Sequence, residues 1–166
     1  MTDTLAVIAK VISEHHAIRQ HIKLAGDTVN DIEALVALQR AHAGWAQSPI
    51  TALIEKQNQM QQAINFLEQG LKNHFAFEED ALLPLFGELL GQAVLREHHE
   101  ISRQIDGAKT MLANIKLEGL EQRELLSQKS GVQEIINRLC QAVEEHAHNE
   151  ETILNMVKKA LEGNIA

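Results

Sequence analysis

The sequence predicts an all-α fold, a bundle of four amphipathic helices with an extra short helix between the first and second bundle helices. Three observations lead there. Apolar residues recur at intervals of three and four through four long segments, the pattern of helices with one buried face. Helix breakers are scarce, with 2 Pro and 9 Gly in 166 residues. The two halves of the chain, about 1–86 and 87–166, also repeat one plan, so that 1–166 reads as a single domain built of two helix pairs.

The first helix is expected over residues 3–24, with Leu5, Ile8, Ile12, Ile18 and Ile22 on its inner stripe and His15 in phase with them. His16 and His21 fall off that stripe. Gly26 and Asp27 are expected to break the helix, and residues 31–46 read as the extra short helix, ending near a surface His42 and a packing Trp45. Ser48 and Pro49 supply a serine N-cap and a proline at the first helical position, so a long helix opens there. Its stripe of Leu67, Leu71, Leu82 and Leu85 is interrupted by His74 and Glu78, and it should stop near Pro84.

Gly87 or Gly91 begins the third bundle helix, whose stripe Leu90, Val94, Leu95, Ile101, Ile105 and Leu112 carries it to about residue 115. His98 lies inward on it and His99 outward. Residues 116–130 are polar and fit either a helical start or a loop. From Gly131 the last helix runs through Val132, Ile135, Leu139, Val143, His146, Glu150, Ile153 and Val157, and fades by Gly163.

The charge balance narrows the partners. There are 15 Lys and Arg against 23 Asp and Glu, a formal charge of -8 without a basic run, which argues against nucleic acid or an anionic membrane. The start has no basic segment ahead of an apolar run, and no stretch reaches the roughly 18 apolar residues of a membrane span. The single Cys140 rules out an internal disulfide and a cysteine-built metal site. A cytoplasmic protein is the expectation.

Nine histidines stand out, and their placement is ordered. SEHHAI at residues 13–18 recurs as REHHEI at 96–101, and HFAFEED at 74–80 recurs as HAHNEET at 146–152. Each half contributes one helix with an inward histidine, then one with an inward histidine and an inward glutamate four residues later. Residues i and i+4 stack on one helix face, so each such pair can converge on an ion.

A lone histidine on an apolar stripe is ordinarily a satisfied core residue, and a lone glutamate often a helix-end charge. Six polar groups in four stripes are another matter, because each buried group left unsatisfied costs about 1–3 kcal/mol. Bound metal supplies the compensation, with His15, His74, Glu78, His98, His146 and Glu150 as candidate ligands. Imidazoles and carboxylates without thiolates suit iron, manganese or zinc. Six ligands are too many for one open catalytic zinc but serve two ions about 3.5–4 Å apart.

The Glu-His-x-x-Ile signatures at Glu14-His15 and Glu97-His98, with the His-x-x-x-Glu signatures at His74/Glu78 and His146/Glu150, make the chain resemble the hemerythrin-like (HHE cation-binding) domain family over nearly its whole length. The resemblance implies an antiparallel up-and-down four-helix bundle holding two iron ions with an oxo or hydroxo bridge. It places His15 and His74 on one iron, His98 and His146 on the other, and Glu78 and Glu150 between them.

The oxygen-carrying members have a His-x-x-x-His pair on the third helix and a final aspartate five residues after the last histidine. Here Val94 and Ser102 flank His98 at that spacing, and Glu151 stands at the five-residue position, while Glu150 fits the stripe and the repeat. The set of four His and two Glu looks more like the branch implicated in repair of iron centres after nitrosative and oxidative stress.

The leading reading is a cytoplasmic di-iron protein that binds or reacts with a small oxidant (O2, NO or peroxide), as sensor, scavenger or iron-centre protection factor. Two alternatives come from other classes. One is a ferritin-like iron oxidase or storage protein, disfavoured because such sites resemble Glu-x-x-His rather than His-x-x-x-Glu. The other is a signalling or binding module with a structural metal and a homodimeric or other protein partner. Manganese or zinc in place of iron stays open. Phe75 and Phe77 would surround the site; Cys140 reads as a small buried hydrophobe, and Glu79, Glu145 and Glu151 as solvated or ligand-orienting carboxylates.

Overall fold

The computed structural model describes the backbone of residues 2–41, 50–115 and 122–163, and the side chains of residues 3–31, 54–115, 127–128 and 130–163. The described chain is all-helical: α1 (Thr2–Ala41), α2 (Ile50–Ala81), the single turn α3 (Leu83–Phe86), α4 (Glu88–Asn114) and α5 (Gln122–Gly163). The four long helices close into a ring, in which α1 packs on α2 and α5, and α4 packs on the same two. No helix among the described residues is long and apolar enough to cross a membrane.

α1 corrects the first expectation. It does not break at Gly26 and Asp27 but continues to Ala41, so residues 31–41 are its final turns rather than a separate short helix. One interior glycine costs a helix about 1 kcal/mol. Around it Ala25, Thr28 and Val29 are buried, and Ala25 and Val29 belong to the same apolar cluster as Met60 and Ile64 of α2. That packing outweighs the local cost, and the Thr28 hydroxyl donates to Leu24 O at 2.8 Å within the helix. His42, Trp45 and the Ser48-Pro49 start lie outside the described residues, as does the chain from 116 to 121.

The other boundaries follow from local chemistry. Pro84 has no N–H and would clash with a carbonyl one turn back, so α2 ends at Ala81 and the chain makes only the turn of α3. Leu85, expected on the inner stripe, is therefore 44% exposed. Gly87 sits at φ 75 and ψ 175, a conformation that suits glycine, and turns the chain into α4. Residues 122–130 prove helical, as the opening turns of α5.

The stripes themselves are more regular than expected. In α5 the buried positions are Val132, Ile136, Leu139, Val143, His146, Ala147, Glu150 and Leu154, with Ile135 and Ile153 only partly buried. Among the described side chains of α1 they are Ile8, Val11, His15, Ile18, Ala25, Thr28 and Val29. Among the described residues the core falls into two apolar clusters. The larger contains Ile18, Leu67, Leu71, Ile101, Ile105, Leu139 and Val143, and the smaller Ile8, Val11, Leu82 and Leu154. A polar layer separates them.

Candidate metal centre

That layer consists of His15 from α1, His74 and Glu78 from α2, His98 from α4, and His146 and Glu150 from α5, all buried. The structure brings all six sequence-predicted residues together. His16, His21, His99 and His148 are exposed, as their phase requires.

The glutamates face both ways. Glu78 Oε1 lies 2.5 Å from His74 Nε2 and 3.5 Å from His15 Nε2, while its Oε2 lies 3.0 Å from His98 Nε2 and 3.7 Å from His146 Nε2. Glu150 Oε1 is 3.2 Å from His15 Nε2, and its Oε2 is 3.5 Å from His146 Nε2. Two donor sets result, His15–His74–Glu78–Glu150 and Glu78–His98–His146–Glu150, each with its atoms within 4.8 Å of one another. The sets share both carboxylates.

Proximity here is not satisfaction. Among the described residues, Nε2 of His15, His74 and His146, Oε1 of Glu78 and both oxygens of Glu150 are buried without a hydrogen-bond partner, although several lie close to one another. Nitrogens and oxygens that converge without aligning to share a proton are what a cation between them requires. The donor chemistry therefore fits a metal.

Each imidazole is oriented from behind by a carboxylate. Nδ1 of His74 lies 2.6 Å from Glu14 Oε2, and Nδ1 of His146 lies 2.6 Å from Glu97 Oε2. Nδ1 of His98 lies 3.0 Å from Glu79 Oε1, and Nδ1 of His15 lies 3.1 Å from Glu151 Oε1. With the carboxylates ionised, each Nδ1–H donates and each Nε2 is left facing the layer, the arrangement that sets tautomer and ring angle in metal sites. The pairing respects the repeat. The Glu of each Glu-His signature serves the histidine of the next long helix, whereas Glu79 and Glu151, adjacent to the inner glutamates, serve the histidine of the other half.

Sequence reasoning treated Glu14 and Glu97 as signature letters only. Their recurrence before both inner histidines was the available signal. Of the off-stripe carboxylates, Glu79 and Glu151 orient ligand candidates, while Glu145 accepts a hydrogen bond from Gln141 at 2.9 Å.

Electrostatics in the layer follow from this crowding. Burial lowers the pKa of His15, but Glu150 and Glu78 outweigh it and push it up to about 9. Burial likewise opposes protonation of His146, and Glu78 and Glu97 push it up to about 9. Burial opposes ionisation of Glu78, yet His146, His15, His74 and His98 hold its carboxyl far below the usual range. Burial, with the Glu78 charge, raises Glu150 against the pull of His15. His146 holds Glu97 low, and Arg19 and His15 outweigh burial to hold Glu151 low. Protons on His15 and His146 thus stand where metal ions would.

Phe75 and Phe77 take different places. The Phe75 ring stacks on His98 at 3.9 Å and 14° and meets His146 edge-on at 5.6 Å. Phe77 is partly buried, with Lys10 Nζ 3.6 Å from its centroid. Cys140 is half-buried against the larger cluster, and burial pushes its thiol up to about 11, away from nucleophilic use.

The family described as the hemerythrin HHE cation binding domain matches residues 6–155. No curated protein and no solved structure matches the chain significantly.

Proposed function

The chain belongs to the hemerythrin HHE cation-binding domain family, and from that premise we propose that it is a non-haem di-iron protein that binds or reacts with a small oxidant (O2, NO or peroxide) in the cytoplasm. The role is that of a sensor, a scavenger or a protection factor for iron centres. In this reading 1–166 is one domain, an antiparallel up-and-down four-helix bundle. His15 and His74 hold one iron, His98 and His146 the other, and Glu78 and Glu150 bridge them.

One observation carries the reading: each inner glutamate turns one oxygen toward the α1 side of the layer and the other toward the α5 side, so that two donor sets share two carboxylates. A single ion would leave one set unused. Six carboxylates, Glu14, Glu78, Glu79, Glu97, Glu150 and Glu151, crowd the layer, and among the described residues Arg19 and Lys10 are the Lys or Arg cations bonded to them, so two multivalent ions restore the charge balance.

Bound iron supplies an exchangeable coordination position and a change of valence. The protein supplies the rest. The four outer carboxylates hold the imidazole tautomer and angle, and the apolar clusters on both sides restrict water. With two histidines and two shared carboxylates on each side, neither donor set fills an octahedron.

Elemental analysis and the visible spectrum of purified protein, before and after azide, test the proposal. About two irons per chain and a charge-transfer band that moves with azide are expected, in line with a two-metal site. Colourless protein with one zinc, or no metal after anaerobic reconstitution, would make the domain a structural module instead.

A further inference from the structure

A cleft of about 130 Å³ lies between α2 and α4. Its inner wall is Leu71, Phe75 and Ile105, all buried, and its outer wall includes the exposed Ser102 and Asp106. The volume is well above the roughly 15 Å³ that holds one water-sized molecule. Phe75 belongs to two surroundings at once: it lines this cleft, and its ring stacks on His98 and meets His146 edge-on. That one ring therefore stands between the cleft and the donor set of His98 and His146.

The internal repeat shows how the two equivalent sides differ. Aligned on His15/His98 and His74/His146, Ser102 is in register with Arg19, Phe75 with Ala147, and Lys72 with Glu144. On the first-half side Arg19 bridges α1 to α5, with Nε 3.0 Å from both Glu144 oxygens and the terminal nitrogens 2.7 and 3.2 Å from Glu151. Cys140 Sγ lies 3.8 Å from Ile22 O beside them. Arg19 thus bonds across the α1/α5 interface at the position where, between α2 and α4, the short Ser102 stands; the α2/α4 interface is crossed one to two turns away by Lys109 and Glu68 at 2.6 Å.

Charge selects what can use the opening. Glu68, Lys72 and Asp106 line it; Glu68 pairs with Lys72 at 2.8 Å and Lys109 at 2.6 Å, and the Asp106 charge acts on Lys72 as well, so two carboxylates offset two ammonium groups and the rim carries no net charge to draw in an ion. The inner wall offers no polar group at all. A small neutral diatomic suits both features.

We propose that the α2/α4 cleft is the inlet for a neutral diatomic gas and that Phe75 is its gate, delivering the gas to the metal ion held by His98 and His146. The inlet rests on the di-iron reading above. Passage requires rotation or displacement of the Phe75 ring, whose stacking on His98 couples the gate to the ligand set.

Two readouts test this. Crystals of the metal-loaded protein under xenon pressure should show xenon in the cleft against Phe75, as apolar cavities take up xenon. Stopped-flow NO binding to the reduced, iron-loaded protein should slow about tenfold in Ser102→Trp, the effect of about 1.4 kcal/mol on a barrier. It should quicken in Phe75→Leu, which opens the gate. Lys23→Trp, in register with Asp106 on the opposite side, should leave the rate unchanged.

Xenon found only in the neighbouring groove beside Ile64 and Leu112, or an unchanged rate in Ser102→Trp with its iron intact, overturns the inlet while leaving the di-iron reading in place. Protein that takes up no iron removes both.

Discussion

Arg19 of α1 grips Glu151 of α5, its terminal nitrogens 2.7 and 3.2 Å from the two carboxylate oxygens. Glu151 in turn stands 3.1 Å from His15 Nδ1, so a partly exposed guanidinium and a buried imidazole share one carboxylate. The layer of inner histidines and glutamates is therefore held from outside as well as from within.

Weakening that outer support should loosen the ions without unfolding the bundle. Outer hydrogen-bond partners of metal-ligating histidines typically account for about 10–100-fold in affinity. Glu14→Gln and Glu97→Gln, which keep the side-chain shape, should each lower metal affinity within that range in a chelator competition, with unchanged far-UV circular dichroism. Wild-type affinity in both variants would show that the 2.6 Å contacts to His74 and His146 do no orienting.

Loss of an inner group should be read in metal content. His74→Ala or His146→Ala removes a donor from one set only, and each variant should purify with less than the full complement of iron. Glu78→Gln touches both sets, because Glu78 faces all four imidazoles, and should lose more metal than either. Two irons retained in His74→Ala and His146→Ala would refute the ligand set.

Acidity gives the metal-free protein a signature. Folding raises His15 and His146 to about 9 from 6.5, so their stabilisation is complete below about pH 6.5 and disappears as pH rises through about 9. Glu78 is lowered, so its stabilisation is present above about 4.5 and is lost as pH falls through its folded value. Thermal melts of chelator-stripped protein should decline between about pH 7 and 10. Metal displaces the Nε2 protons, so loading at pH 7 should release on the order of two protons per chain and abolish the alkaline decline. A flat melting profile for the stripped protein would contradict the assignment.

Gly87 isolates a backbone effect. A methyl group there would meet no atom within 4 Å, so Gly87→Ala changes only the cost of φ 75 and ψ 175. Such a conformation costs a non-glycine residue about 1–3 kcal/mol, and denaturant titration should find the variant destabilised by that amount. A neutral result would mean that the α3–α4 junction relaxes to a different turn.

The sequence by itself determined that the protein is helical, where α2, α4 and α5 end, and which six side chains replace apolar ones in four stripes. Helical periodicity is local: the phase of His74 against Leu67 and Leu71, or of His146 against Leu139 and Val143, decides which way a side chain points before any helix meets another. The repeat then required both halves to bring the same groups inward.

What lay outside that reach depends on contacts between helices. α1 runs on past Gly26 because Ala25 and Val29 pack in one cluster with Met60 and Ile64, a gain that the local sequence does not contain. The Glu79 contact to His98 and the Glu151 contact to His15 join opposite halves of the chain, and Arg19 reaches two glutamates of α5. Only the tertiary structure decided these pairings, because the relative height and rotation of packed helices set which carboxylate lies behind which imidazole.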